Sequence, residues 1–242
     1  MPDILAQLDA TLNPHGLFVR GAFHATDEDK LPALSDGRAV RTVALIGNAG
    51  MDLWRAFRAA RPALEGKNPL EDWLDPLIER AAASAGAAQV IFPTRKPYPP
   101  IQRWAQRAEN VHVSPIGILI HPIYGLFHVY RAALLFADKL DVRPPVRGAS
   151  PCASCADKPC LEVCPADAFR PGGFDMEACV AHVTGAAGGN CSARGCLARR
   201  ACPVGPEYRY APEAGAFHMA AVVRAVHGMR KERGAGADLP HG

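Results

Sequence analysis

Apolar and polar residues follow two different periods along residues 1–140, one typical of helices and one typical of strands. Segments in which apolar residues recur every three or four positions predict helices over Ile4–Leu12, Asp52–Leu64, Asn68–Ala85 and Pro100–Asn110. Shorter, continuously apolar segments predict strands over Leu17–Phe23, Val40–Ile46 and Ala88–Phe92. Because helices and strands alternate, the pattern favours an α/β or α+β fold over an all-helical one.

The most apolar stretch, residues 111–137, has the length of a membrane span. Polar and helix-breaking residues interrupt it, namely Pro115, His121, Pro122, His128 and Arg131. It divides into two apolar runs, Ile116–His121 and Leu126–Phe136, which are joined by a turn that ends in Gly125. We therefore expect a buried pair of strands forming a hairpin and no membrane-spanning helix.

A glycine-rich segment, Gly47–Gly50, lies between a predicted strand and a predicted helix, as a phosphate-binding turn does. It lacks the third glycine of the dinucleotide fingerprint and the lysine and serine of a P-loop. We expect an ordinary strand-to-helix turn here, with a nucleotide site as the alternative.

A segment rich in proline and arginine, Asp141–Pro151, predicts a linker between two domains, residues 1–143 and 144–242. The second domain ends in a predicted helix, Glu213–Arg233, whose apolar face would consist of Ala216, Met219, Ala220, Val223 and Val226.

Composition narrows the class of protein. The hydrophobic content of 49% and the charged content of 21% are typical of a globular domain and exclude a disordered chain. A net charge of +3 is too mild to indicate nucleic-acid or membrane binding. The first residues lack the basic region of a signal peptide, so we expect a cytoplasmic protein.

The candidate chemistry is concentrated in the second predicted domain, which contains all eight cysteines of the chain. They are Cys152, Cys155, Cys160, Cys164, Cys179, Cys191, Cys196 and Cys202. Eight thiolates are the number that two 4Fe-4S clusters require, and proline follows both Cys164 and Cys202, as in two-cluster ferredoxins. In such ferredoxins the last cysteine of a run binds the other cluster.

This crossover predicts two sets of ligands. The first set would be Cys152, Cys155, Cys160 and Cys202, and the second Cys164, Cys179, Cys191 and Cys196. A disulfide framework, zinc sites and unmodified buried thiols are the alternatives. A disulfide framework suits a small secreted domain, and zinc favours two Cys-x2-Cys pairs, whereas this chain has one.

The hairpin segment reads Ile-His-Pro-Ile-Tyr-Gly-Leu-Phe-His-Val-Tyr-Arg over residues 120–131 and resembles a segment of the CblC family of cobalamin-processing proteins. The matching positions, some after a one-residue adjustment of register, are His121, Pro122, Gly125, Phe127 and Arg131. Weaker similarity runs from Gly16 to the predicted helix that begins at Asn68, and the whole resemblance covers about the first 140 residues.

The cysteine order, including the solitary Cys179, resembles that of epoxyqueuosine reductases, which share their fold with reductive dehalogenases and the CblC family. Together the resemblances imply an α+β fold: a nitroreductase-like, CblC-like sheet-and-helix domain, then a ferredoxin-like two-cluster module and a C-terminal helix. The chain is too short for the helical-repeat domain of epoxyqueuosine reductases, and no residue matches their catalytic acid, so the catalytic residues stay unassigned.

The resemblances imply an oxidoreductase that passes electrons from two 4Fe-4S clusters to the cobalt of a cobalamin and so removes its upper ligand. His121 would lie near the corrin, and Arg131 would pair with a propionamide, a thiol reductant or a structural carboxylate. The expected cofactor contacts are His121, Pro122, Ile123, Tyr124, Gly125, His128 and Arg131.

Three alternatives remain open at this point. The first is an electron-transfer ferredoxin without its own substrate, for which Arg194, Arg199 and Arg200 would suit an acidic partner. The second is a flavin-dependent reductase, and the third an epoxyqueuosine-reductase-like enzyme. In each reading a reductase, ferredoxin or flavodoxin would act as the electron donor.

Overall fold

The computed structural model describes residues 3–60, 68–170 and 173–237, with side chains up to Met229. Within these ranges the helices are α1 (Ile4–Leu12), α2 (Asp52–Ala59), α3 (Pro69–Ser84), α4 (Ile101–Ala108), α5 (Pro159–Glu162), α6 (Met176–Thr184), α7 (Gly189–Arg194), α8 (Leu197–Arg200) and α9 (Pro212–Ala237). The strands are β1 (Phe18–His24), β2 (Thr42–Ala49), β3 (Gln89–Ile91), β4 (His112–Val113), β5 (Leu119–Ile120), β6 (His128–Phe136), β7 (Phe169–Arg170) and β8 (Gly173–Phe174).

The core of the protein is a four-stranded sheet in the order β1-β2-β6-β3, in which neighbouring strands run antiparallel. Alternating side chains of β2 and β6 enter two cores on opposite faces of the sheet. Ala44 and Ile46 pack with α1, α2, α3 and α9, and Val43 and Leu45 pack with α4. Both faces are covered, which explains why these strands are apolar at nearly every position.

Two β-bulges interrupt β1 and β6, and each bulged residue is an arginine whose side chain is at most 10% exposed. In β1 the residues on either side of Arg20 pair with successive residues of β2, and Arg20 pairs with none. Arg131 is bypassed in the same way between β6 and β2. A bulge adds one residue to a strand and so redirects a side chain and changes which face its neighbours present; Tyr130 and Ala132, on either side of Arg131, enter different cores.

The turn predicted at Gly47–Gly50 is wrong over most of its length. Strand β2 continues through Ala49, because Gly47 and Asn48 pair with residues of β6. A Cβ atom at Gly47 would lie 2.3 Å from the carbonyl oxygen of Val129. The glycine therefore permits close strand approach, and the chain turns only at Gly50.

The predicted strand pair around residue 121 is partly wrong. Strand β5 pairs with β4, not with β6, and a single bridge between His121 and Gly125 closes the turn. Helix α2 ends at Ala59, and the rest of its predicted span, residues 61–64, lies outside the described residues. No helix in the described ranges is both long enough and apolar enough to cross a membrane.

Helix α9 joins the cysteine-containing segment to the sheet. Its Glu213 accepts a hydrogen bond of 2.9 Å from the indole Nε1 of Trp54, and the ring of Phe217 lies 5.1 Å from that of Trp54. The predicted apolar face is wrong at Ala220, which is exposed. Ala214 is instead fully buried, because α9 presents its first turn to the core of the sheet.

The turn at residues 121–125, called the hairpin below, packs backbone against backbone on the segment that follows Cys202. Gly125 and Gly205 both have left-handed backbone, with φ of 56° and 61°. A Cβ atom at Gly205 would lie 2.4 Å from the carbonyl oxygen of Ile123. A Cβ atom at Gly125 would lie 2.0 Å from the carbonyl oxygen of Val204. Only glycine fits at either position.

We predict that Gly205→Ala destabilises the protein strongly, because the methyl group meets backbone that cannot move aside. Left-handed alanine costs about 1 kcal/mol, and the clash adds about 2 kcal/mol or more. Gly37→Ala is the matched control, since Gly37 is also left-handed but a Cβ atom there would have no neighbour within 4 Å. Urea unfolding measures both, and equal losses would contradict the close packing of the hairpin.

Candidate functional site

Four cysteines line a small cavity of about 20 Å³ beside the hairpin: Cys152, Cys155, Cys160 and Cys202. Cys152 lies in a short 3-10 turn that begins after Ser150, whose hydroxyl accepts a 3.3 Å hydrogen bond from the Cys152 N–H. Cys160 lies in α5, and Cys202 follows α8. Pro151, Pro159 and Pro203 lie in the same wall and fix the backbone around the thiols.

The other four cysteines line a larger cavity of about 350 Å³: Cys164, Cys179, Cys191 and Cys196. Cys179 lies in α6, Cys191 in α7, and Cys196 directly precedes α8. The remaining wall is largely apolar and includes Ile116, Phe169, Phe174, Val183 and Met219. Such a wall would shield a bound group from water.

The grouping crosses the two halves of the sequence. Cys202, the last cysteine, lies with the first three, and Cys164 lies with the later ones. These are the two sets assigned from the cysteine spacing. That each set holds a cluster stays a prediction.

The electrostatics of the thiols suits a site that binds a soft cation. Burial raises the pKa of Cys179 to about 11, and the neighbouring Cys196, Cys164 and Cys191 add to the rise. Burial also raises the pKa of Cys196, while backbone N–H groups of Arg199 and Ala198 that point at its sulfur act in the opposite direction. The thiolates need a cation to form here, and N–H groups directed at cysteine sulfur are typical of cluster loops.

In the part of the chain that the structure describes, no three His, Cys, Asp or Glu side chains converge closely enough to hold a single metal ion. A cubane cluster does not require such convergence, because each of its four thiolates binds a different iron atom. Two cavities, each lined by four thiols, therefore fit the donor set of a cluster.

His121 holds the hairpin in shape. Its Nδ1 accepts hydrogen bonds from the backbone N–H groups of Ile123 and Tyr124, at 3.0 and 3.2 Å. Its ring stacks on Tyr124 with a centroid distance of 4.3 Å, and its Nε2 lies 3.5 Å from a carboxylate oxygen of Glu109. Both ring nitrogens are engaged within the protein. Ile123, at the tip, is 56% exposed.

A buried polar cluster lies beneath the hairpin, around Glu109. The carboxylate is 2.8 Å from Nη2 of Arg20 and accepts a short hydrogen bond from the hydroxyl of Tyr130. Burial raises the pKa of Glu109, although the charge of Arg20 opposes the rise. The Arg20 side chain is fully buried, and its guanidinium lies 4.8 Å from the centre of the Tyr130 ring.

His128 belongs to the same cluster. Its Nδ1 lies 3.1 Å from Nη1 of Arg20, and its Nε2 lies 3.0 Å from the carbonyl oxygen of Leu119. The carbonyl can only accept, so Nε2 carries the proton and Nδ1 accepts from Arg20. Burial, followed by the charge of Arg20, lowers the pKa of His128 to about 2. Burial also lowers the pKa of His121 to about 4.

Arg131 lies on the opposite face of the sheet from this cluster and is not brought together with His121. Its Nε donates to Oδ1 of Asn48 at 2.9 Å, and its Nη1 lies 3.8 Å from Glu71. Of the expected cofactor contacts, Gly125 is packed against Val204 and Pro122 lies within the turn. Pro122 and Ile123 are exposed and Tyr124 is half-buried, so these three residues form the accessible part of the hairpin.

Sequence reasoning missed Arg20 and Glu109, which connect the two histidines. Arg20 interrupts an otherwise apolar strand, and a charged residue in such a position was the one available signal. Glu109 directly follows α4 and looks like an ordinary exposed helix end.

An open cleft of about 410 Å³ lies next to the hairpin, between the turn at residues 13–16 and helix α2. Polar side chains of Asn13, Asp52 and Arg55 line it, together with Phe18. The ring of Phe18 lies 5.9 Å from that of Tyr124, so the cleft and the hairpin share an aromatic wall.

No protein-family model matches the chain, and no curated protein matches it. Among solved structures, it is similar to the B12-trafficking protein CblC of C. elegans, a homologue of human MMACHC. The TM-score is 0.52 at 14% identity, covering 91% of this chain and 94% of that one. The likeness shows a CblC-like fold of mixed helices and sheet.

Two structures of epoxyqueuosine reductase are also similar, each at 14% identity. One is selenomethionine-labelled and has a TM-score of 0.48, with 80% of this chain and 55% of that chain covered. The other contains an epoxyqueuosine-modified tRNA-Tyr stem loop and has a TM-score of 0.49, with 87% and 68% covered. Since both scores lie below 0.5, the fold assignment depends on CblC alone.

We predict that the free energy of unfolding falls as the pH drops below 6.5. The histidines bind protons in the unfolded state, whereas the buried rings stay neutral in the folded state. For His128, whose pKa falls from 6.5 to about 2 on folding, the loss between pH 7.5 and 5.5 is about 1.4 kcal/mol. His128→Gln keeps a donor and an acceptor and removes this part of the pH dependence. Urea unfolding at the two pH values measures it.

The exposed His227 of α9 supplies the control for that experiment. If His128→Gln and His227→Gln change the difference between pH 7.5 and 5.5 equally, burial of His128 does not cause it and the account of the polar cluster is wrong.

Proposed function

We propose that this chain is an iron-sulfur oxidoreductase that binds a corrinoid and delivers electrons from two 4Fe-4S clusters to its cobalt. One observation carries the proposal: eight thiols lie in two sets of four, and the chain directly after Cys202 contacts the hairpin through Gly125. The end of one thiol set is thus in backbone contact with the candidate corrinoid site.

The bound groups would supply one-electron chemistry, ending in loss of the upper cobalt ligand. The residues of the chain would hold these groups in position and exclude water from them. Apolar walls such as Phe169 and Phe174 shield the second set of thiols. Arg209 donates a 2.8 Å hydrogen bond to the carbonyl oxygen of Cys202 and fixes the segment that meets the hairpin.

The open cleft beside Phe18 is the proposed location of the corrinoid edge. Amide side arms of a corrin need hydrogen-bond partners, and Asn13, Asp52 and Arg55 offer both donors and acceptors there. The exposed Ile123 and the ring of Tyr124 offer apolar contact at the adjoining hairpin. His121 keeps the hairpin in position and is not proposed as a cobalt ligand, because both of its nitrogens are engaged.

A second candidate function is electron transfer without a substrate of the protein's own. The engaged nitrogens of His121 favour it, since they leave no free ligand group at the hairpin. The basic Arg194 and Arg200 near the second set of thiols would then meet an acidic donor or acceptor protein.

We predict that anaerobically purified, cluster-loaded protein binds cobalamin, with a change in its visible spectrum, and that the clusters then reduce the cobalt, as followed by EPR. Ile123→Asp should weaken this binding about tenfold, because a charge at the apolar tip is desolvated by the ligand. Val146→Asp is the control, since Val146 is 90% exposed in the linker.

Two results would remove the corrinoid proposal. One is the absence of any spectral change with any corrinoid, which would leave the electron-transfer function. The other is saturable binding of a flavin with no binding of a corrinoid. Equal effects of Ile123→Asp and Val146→Asp would exclude the hairpin as the contact.

Cys179→Ala should remove about half of the iron, since a cubane cluster requires four thiolates and Cys179 belongs to one set. Iron and sulfide analysis measures the loss. Ser192→Ala, at an exposed residue of α7 next to Cys191, is the control and should retain all the iron. If Cys179→Ala retains both clusters, the ligand assignment is wrong.

A further inference from the structure

A separate cavity of about 90 Å³ lies where helices α7, α8 and α9 meet the sheet. Arg199, Tyr210 and His218 line it, together with Phe127 and Cys196. The cavity adjoins the larger thiol-lined cavity, with which it shares Cys196, Arg199, Met219 and Val222. Its volume accommodates several water-sized groups.

The lining of this cavity is strongly positive. Three arginines line it, Arg194, Arg199 and Arg200, and no described lining residue is acidic. Arg199 is held in place, because its Nε donates to the carbonyl oxygen of Leu126 at 2.7 Å and its guanidinium lies 4.8 Å from the centre of the Tyr210 ring. The positive charge is therefore pre-positioned and does not have to be ordered by a ligand.

Two buried donors point to an acceptor in this region. The hydroxyl of Tyr210 and Nη2 of Arg131 are inaccessible to solvent and have no hydrogen-bond partner among the described residues. A smaller cavity of about 10 Å³ is lined by Asn48, Tyr210 and His218, and Asn48 accepts a hydrogen bond from Nε of Arg131. Buried donors are nearly always paired in native proteins, since an unpaired one costs about 1–3 kcal/mol.

The third side chain of the cavity, His218, is uncharged at neutral pH. Burial, followed by the charges of Arg131 and Arg199, lowers its pKa to about 3. A neutral imidazole both donates and accepts hydrogen bonds, so it accommodates an anion without adding a charge of its own.

We propose that the cavity between Arg199, Tyr210 and His218 binds a small monocarboxylate. A planar carboxylate matches the fork of a guanidinium, accepts a hydrogen bond from the unpaired hydroxyl of Tyr210 and fits the available volume. The site is lined by Phe127, which directly precedes β6, and by residues of α8 and α9, so the ligand would fasten these segments to one another. The proposal does not depend on corrinoid binding.

Full-length, cluster-loaded protein tests the proposal through its melting temperature in increasing sodium acetate, with sodium chloride at matched ionic strength as the reference. A ligand that binds only the folded state raises the melting temperature in a saturable way. We expect acetate to do so, and we expect Tyr210→Phe to weaken the apparent affinity about tenfold, since a hydrogen bond to a charged group is lost. Tyr98→Phe, at a tyrosine that is 65% exposed, should leave the affinity unchanged.

Three results would overturn the proposal. The first is no saturable effect of acetate beyond that of chloride, which would mean that the arginines only offset the charge of a cluster on Cys196. The second is equal affinity in the Tyr210→Phe and unmodified proteins. The third is preferential binding of inorganic phosphate. The iron content of the same samples is measured as well, so that each of these results can be distinguished from a failure of the protein to assemble its clusters.

Discussion

The fold depends on a backbone contact that only glycine permits. Gly125 in the hairpin and Gly205 after Cys202 each occupy left-handed backbone and each would place a Cβ atom against the other segment's main chain. The contact fixes the end of the cysteine-containing segment against the sheet. Helix α9 adds a second attachment, in which Phe217 and Glu213 pack on Trp54. The two predicted domains therefore share a core.

The polar interior follows from how the sheet is made. Two bulges place Arg20 of β1 and Arg131 of β6 on opposite faces of the sheet, so each face receives one positive charge. On one face Glu109 neutralises Arg20, and neutral His121 and His128 complete the cluster. On the other face the nearest carboxylate to Arg131 is 3.8 Å away. The two faces therefore differ in how closely their arginine is paired with a carboxylate.

Much of the fold could be predicted from the sequence because helix and strand periods are local properties. Helix α1 has the predicted bounds, and α3 begins at Pro69 as the proline at its start indicates. The prediction of a turn at Gly47 was wrong because glycine also occurs where two strands lie unusually close together. Such a contact depends on a partner strand that is distant in sequence. Glu109 was missed for the same reason, since only the fold brings it to Arg20 and Tyr130.

The cysteine spacing predicts two crossed sets of ligands, and the structure places Cys202 beside the first three cysteines and Cys164 beside the later ones. That these sets are ligands stays a prediction. The spacing does not identify the group that each cavity binds, because four thiols can bind either a cluster or a zinc ion. The most direct measurement is the metal and sulfide content of anaerobically purified protein. Two cubane clusters predict about eight iron and about eight labile sulfide per chain. Stoichiometric zinc without sulfide would contradict the account.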